Sequence, residues 1–172
     1  PKGSPKDTYY TWVKACKDAG AKVILDADGD LLAAGIKASP YLIKPNNHEL
    51  SGLLGRTLHT PRELEAAARE LMEQYGIGKI VVSMGGDGAL YVTEEETVYA
   101  EGLKVVVGST VGAGDSVVAS LAVAEESGMG LEEMVRLSTA TGAANVMCSG
   151  TQAAEYHVIE ELIPKVVIHK EF

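Results

Sequence analysis

Ser109 to Ser116 hold the densest chemistry in the chain: Ser-Thr-Val-Gly-Ala-Gly-Asp-Ser. Gly112 and Gly114 flank Ala113 just ahead of a stretch with helical patterning. Glycine lets backbone N–H groups approach a ligand closely and point at it. The positive N-terminal end of the helix adds to that attraction. Together they make a hole for an anion. Asp115 falls in the first turn of this helix, beside the hole. A carboxylate there can accept a proton from a hydroxyl as it attacks phosphorus. The hole can hold charge on the transferred group. A bare Gly-x-Gly-Asp reads equally as a glycine-rich helix start whose Asp is favoured by the dipole, and these residues alone leave both readings open. The run is not a P-loop, because no Gly-Lys-Ser/Thr closes it. Nor is it the dinucleotide fingerprint, which needs Gly-x-Gly-x-x-Gly between a first strand and its helix.

Two further loops follow apolar strands. In Lys44-Pro45-Asn46-Asn47-His48-Glu49, the Asn46/Glu49 spacing is that of a capping box. A capped helix start is also a rigid place for ligand groups. Ser83-Met84-Gly85-Gly86-Asp87-Gly88 is a glycine turn that suits close approach of backbone to a ligand, or a plain hairpin turn. Thr139 to Asn145 is rich in small residues, which points to close helix packing, with Asn145 also placed for a ligand hydrogen bond. Asp26 and Asp28 could in isolation form a metal site, but a cap role is the safer reading. His48, His59, His157 and His169 show no ligand spacing and read as surface or loop residues. Tyr9, Tyr10 and Trp12 read as core or partner-facing groups on the first helix.

The elements that position these loops follow from local signals. Ser4-Pro5 predicts a helix start and Gly20 its stop. Lys22–Leu25, Tyr41–Ile43 and Lys79–Ser83 are short apolar runs, the pattern of buried strands. Helices are predicted over Asp30–Lys37, Asn46–Leu54 and from Thr60 to a stop at Gly76. The last of these shows Leu64, Ala67, Ala68, Leu71, Met72 and Tyr75 on one face. Ala89–Val92, Thr97–Ala100 and Val105–Val107 read as local antiparallel strands, with Glu94 to Glu96 a solvated turn between them. Helices over Ala113–Ser127, Leu131–Met147 and Ala153–Leu162 complete the chain. Strands alternating with helices predict a three-layer α/β/α sheet, mostly parallel with an antiparallel portion. Ligands of such sheets sit beyond the carboxyl ends of the strands, so the three loops are expected to converge.

The composition narrows the function classes. The chain has 172 residues, the size of one domain, and 46 % apolar residues, enough for a sizeable core. A net charge of −9 argues against a broad basic face for nucleic acid or an anionic membrane. A few cations and backbone N–H groups can still hold a small anion. No run of 18 apolar residues occurs, and no signal-peptide h-region follows Pro1. Cys16 and Cys148 are isolated, which argues against a zinc cluster and fits a reducing compartment, most simply the cytoplasm.

Thr-Val-Gly-Ala-Gly-Asp-Ser after an apolar strand and opening a helix closely resembles the signature of the ribokinase-like carbohydrate kinases, the PfkB family. The resemblance runs from Ser4 to about Ile163. Leu42-Ile43-Lys44-Pro45-Asn46, Ser109 and Leu131-Glu132-Glu133-Met134-Val135-Arg136 are nearest the phosphofructokinase and tagatose-6-phosphate kinase branch. It implies ATP-dependent transfer to a hydroxyl of a sugar phosphate: fructose 1-phosphate, fructose 6-phosphate or tagatose 6-phosphate. By that resemblance Asp115 is the catalytic base, and Gly112, Ala113 and Gly114 form the anion hole. Asn46 and Glu49 organise Mg²⁺. Lys44, Asn46, Ser83, Gly85, Gly86, Asp87, Gly88 and Gly114 lie along the nucleotide. A monovalent cation such as K⁺ is a further candidate.

Members of that family are longer, and their N-terminal half supplies further strands, a lid and most sugar-contacting groups. The expectation is that this chain is the ATP-binding portion, pairing with the missing half or forming a homo-oligomer. Proximity and orientation contribute about 7–11 kcal/mol to such reactions, so the chain alone is expected to be nearly inactive. The competing expectation is a truncated, non-catalytic nucleotide-binding or assembly module.

Overall fold

Helix ends in this chain are set by local chemistry. In the computed structural model, which describes residues 5–170, α3 (Asn47–Leu54) and α4 (Pro61–Tyr75) both open on reciprocal capping boxes. At α4 the Thr60 hydroxyl accepts from the Glu63 N–H at 3.2 Å, and Glu63 Oε2 accepts from the Thr60 N–H at 2.9 Å. Pro61 occupies the first turn, where its missing N–H costs nothing. Gly55 and Gly76 end the two helices in the left-handed conformation.

The remaining elements, in chain order, are as follows. Helix α1 spans Thr8–Asp18, strand β1 Ile24–Leu25 and helix α2 Gly29–Gly35. Strand β2 is Leu42–Ile43, β3 Lys79–Ser83, β4 Gly88–Val92 and β5 Thr97–Glu101. Helices α5 (Ala113–Glu126), α6 (Leu131–Met147) and α7 (Tyr156–Leu162) follow, and β6 is Ile168–His169. The strands belong to one mixed sheet in the order β1-β2-β3-β4-β5-β6.

By its contacts the chain forms two units, one of residues 5–84 and 90–97, the other of residues 85–89 and 98–170. In the first, β1, β2 and β3 are parallel, with Leu25 opposite Ile43 and Ile43 opposite Ile80. Leu42, Ile43, Ile80, Val81 and Val82 are almost wholly buried. The apolar face of α4 packs on β3, burying Leu64, Ala67, Ala68 and Leu71, as the 3.6-residue period requires. Met72 and Tyr75, read on the same face, are half-buried at its margin.

In the second unit α5 and α6 lie against each other. A Cβ on Gly142 would stand 2.9 Å from Val117 Cγ2, so the two helices meet through a position where only glycine fits without adjustment. Within Thr139 to Asn145, Gly142 thus serves packing, and Ala140 and Ala144 are buried. Leu121, Ala124, Met134, Val135 and Ala144 are buried here.

Four readings are corrected. Helix α1 begins at Thr8 with Asp7 at its cap position rather than near Pro5; Ser4 lies outside the described residues. Residues Val105–Val107 form no strand, and Val106 and Val107 are 85 % and 60 % exposed. On its side away from β4, β5 pairs antiparallel with β6, with Tyr99 opposite His169, where Val105–Val107 was expected. Trp12 is 62 % exposed and Val13 is the buried residue of α1, which removes the core reading of Trp12 and leaves the partner-facing one.

Candidate active site

In the first unit, the parallel register carries the chain out of β1 and β2 side by side. Lys44 N–H donates to Leu25 O at 3.3 Å, so the next residue after Leu25, Asp26, stands beside Lys44. Asp26 Oδ2 lies 3.1 Å from Lys44 Nζ, with the lysine side chain 9 % exposed and the aspartate 30 % exposed. The expected cap role of Asp26 is thereby overturned: a buried ammonium needs a counter-ion more than α2 needs a cap. Asp28 does hold the cap position of α2, without a side-chain cap bond.

Pro45 and Asn46 then meet the end of β3. The Ser83 N–H donates to Pro45 O at 3.0 Å, and Asn46 pairs with Ser83 in a parallel bridge. Asn46 Oδ1 accepts from the N–H groups of His48 and Glu49, both at 2.9 Å. Glu49 Oε2 accepts from the Asn46 N–H at 2.8 Å. The structure thus brings together Lys44, Asn46, Glu49 and Ser83 on adjacent strand ends of one unit. Glu49 and Asn46 are hard oxygen donors, the kind Mg²⁺ takes. Both are engaged in the cap, Glu49 through Oε2. Among the described residues no group of three or more His, Cys, Asp or Glu side chains is placed to hold a metal ion. Asn46 and Glu49 are thus oxygen donors of the kind that could serve a Mg²⁺.

In the second unit, α5 opens differently from α3 and α4. Its cap residue is Gly112, with φ of 83°, and no side chain caps the first turn. The left-handed backbone is what makes glycine necessary here. The Val111 N–H donates to Ser109 Oγ at 3.2 Å, which stiffens the approach to the turn. The Ser116 N–H and hydroxyl both donate to Gly112 O, at 2.9 and 3.0 Å. Asp115 is exposed in the first turn. A helix N-terminus with no side-chain cap and with glycine at the close-approach positions has the attributes of an anion site.

Behind the turn lies the end of α6. Gly108 and Ser109 N–H groups both donate to Val146 O, at 2.7 and 3.2 Å. Asn145, 4 % exposed, donates from Nδ2 to Gln152 O at 3.2 Å. Its Oδ1 is buried without a hydrogen-bond partner and lies 3.8 Å from the position a Gly112 Cβ would take. The loop Gly85–Gly88 forms a separate cluster in this unit. Asp87 O accepts from the Tyr99 hydroxyl at 2.7 Å and from the Gly102 N–H at 3.3 Å. Burial, then the Glu101 and Asp87 carboxylates, raise the Tyr99 phenol above its ordinary pKa. Gly88 is required by packing, since a Cβ would run into Ala100 O. Gly85 and Gly86 are exposed and open on their outer side. His48, His59 and His157 carry no shared ligand geometry, and His169 Nε2 pairs with Glu101 Oε1 at 2.6 Å.

Asp26 is the one residue of this cluster that sequence reading misplaced. Its signal was the equal position of Asp26 and Lys44 after two apolar strands, legible only if the strands were known to be neighbours.

A mixed sheet whose strand-end loops carry a capped Asn-x-x-Glu and a glycine-turn helix start defines an α/β protein of the ribokinase-like class. The chain belongs to the pfkB family of carbohydrate kinases, whose family model matches residues 1–157. It is 36 % identical over 169 residues to a 1-phosphofructokinase of Haemophilus influenzae, covering 98 % of this chain and 54 % of that one. It is 34 % identical over 157 residues to an ATP-dependent 6-phosphofructokinase isozyme 2 of Escherichia coli, covering 91 % of this chain and 51 % of that one. The crystal structure of Escherichia coli phosphofructokinase-2 in complex with potassium superposes with a TM-score of 0.90 at 32 % identity, over 96 % of this chain and 54 % of that one. The chain spans about half the length of the curated relatives it matches. Among the described residues, no helix is long and apolar enough to cross a membrane.

Proposed function

We propose that this chain carries the ATP-binding and catalytic portion of a kinase that phosphorylates a hydroxyl of a sugar phosphate, of the fructose 1-phosphate, fructose 6-phosphate or tagatose 6-phosphate kind. The observation that carries the reading is the α5 start: a left-handed Gly112 cap, no side-chain cap and Asp115 in the first turn. Asp115 accepts the proton of the attacking hydroxyl. The hydroxyl oxygen forms its bond to the γ-phosphorus as the bond to the β–γ bridging oxygen breaks, and ADP departs with that electron pair. The N–H groups of Gly112, Ala113 and Gly114 face the charge on the transferring phosphoryl, the Ala113 N–H giving up its long 3.4 Å bond to Thr110 O.

Lys44, Asn46, Ser83 and Gly85–Gly88 accompany the nucleotide in this reading. Glu49 and Asn46 would hold Mg²⁺, which when bound neutralises phosphate charge. A monovalent cation is a further candidate, since a relative was solved with potassium. Assembly as a homo-oligomer, or with the remainder of a longer protein, is part of the proposal; a tetrameric form of the Escherichia coli enzyme has been solved. The two free cysteines fit a cytoplasmic location.

The test is Asp115→Asn in the full-length protein. A loss of turnover of at least about a hundredfold, with ATP affinity kept, is expected. Wild-type turnover would show that Asp115 is not the base. A second reading is a nucleotide-binding or assembly module inactive by itself. Calorimetry with ATP and Mg²⁺ followed by a phosphoryl-transfer assay separates the two. ATP binding without turnover in the full-length protein would favour the module.

A further inference from the structure

We propose that Asp26 is a positioning residue, which holds the Lys44 ammonium at the strand ends in the orientation that meets a nucleotide phosphate. The inference rests on the reading of Lys44 as phosphate-facing. It starts from the register: Ile24 opposite Leu42 and Leu25 opposite Ile43 make the two strands end level. Asp26 and Lys44 are the first residues past those ends, on the carboxyl side of a parallel sheet, where ligands of such sheets bind.

Lys44 is buried, with 9 % of its side chain exposed, while its head lies 3.1 Å from Asp26 Oδ2. An ammonium stripped of water is tolerated only beside an anion. A free lysine has four rotatable carbons and no preferred direction. Asp26 removes both problems at once, because it compensates the charge and occupies one of the three donor directions of the ammonium. Its own carboxylate is 30 % exposed, so it faces the solvent side of the pair. The next residues, Pro45 and Asn46, are tied to Ser83, so the backbone that carries Lys44 is fixed as well. A purely structural pair would clamp the strand ends and have no bearing on the nucleotide.

Steady-state kinetics in ATP on full-length Lys44→Met, Asp26→Asn and the double variant decide between them. Each single change is expected to raise KM for ATP on the order of tenfold, and the double variant no further than Lys44→Met, because coupled residues are not additive. Asp26→Glu moves the carboxylate by one methylene and is expected to raise KM with little change in melting temperature. If Asp26→Asn does not fold, this variant supplies the comparison. A raised KM in Lys44→Met with a wild-type KM in the folded Asp26 variants overturns the positioning role and leaves the Lys44 reading standing. Additive effects in the double variant overturn it too. A wild-type KM in Lys44→Met overturns the Lys44 reading itself, and the inference with it.

Discussion

Asn46 and Glu49 cap each other: Asn46 Oδ1 accepts from the Glu49 N–H at 2.9 Å, and Glu49 Oε2 accepts from the Asn46 N–H at 2.8 Å. The same two side chains are the proposed Mg²⁺ partners. On that proposal one pair serves two demands, and substitutions can separate them.

Glu49→Gln keeps an oxygen that can accept from the Asn46 N–H and removes the charge. Its melting temperature should stay near wild type, while the Mg²⁺ concentration for half-maximal activity rises several-fold. Asn46→Ala should instead lower stability by about 1 kcal/mol through loss of the cap. Unchanged Mg²⁺ dependence in Glu49→Gln would leave Glu49 as a cap alone.

Gly112→Ala tests the turn. Its Cβ would meet Asn145 Oδ1 at an ordinary 3.8 Å, so the cost is backbone strain at φ of 83°. A loss of about 1–2 kcal/mol is expected, together with reduced turnover, because relaxing the turn re-aims the N–H groups of α5. Chemical denaturation and kinetics on the same sample check both.

Gly88→Ala should cost more. At this position a Cβ would stand 2.7 Å from Gly102 N and 2.9 Å from the Glu101 carbonyl carbon, both rigid backbone atoms. The start of β4 would have to move. A loss of about 3 kcal/mol or more is expected, read as a larger shift in urea midpoint than Gly112→Ala gives.

Stability on the acid side should depend on Glu63. The His59 and Thr60 backbone N–H groups donate to its carboxylate and hold its pKa below the ordinary value. A depressed folded-state pKa contributes stability above the ordinary carboxylate range and loses it as pH falls through the folded value. Glu63→Gln should therefore flatten the acid limb of the urea-midpoint profile. An unchanged limb would show that this cap carries no linked proton.

Local chemistry determined much of this protein. Caps at Asn46 and Thr60, stops at Gly55 and Gly76, the buried run of β3 and the α6 bounds all depend on residues within one or two turns of each other. The glycine turn before Asp115 was legible for the same reason. Hydrophobic periodicity likewise foretold the buried face of α4.

Tertiary structure decided what those signals leave free. Val105–Val107 has strand-like residues, yet β5 pairs with β6, where Tyr99 meets His169 across most of the second unit. Strand propensity says that a segment can pair, not with which partner, because the partner is chosen by packing and loop closure. Trp12 is exposed for a related reason: one helix face carries no record of what covers it. The Lys44–Asp26 pair joins residues 18 positions apart. Each was visible as a charged residue after an apolar run. Only the level ends of two parallel strands made them neighbours, and only burial made the lysine dependent on the aspartate.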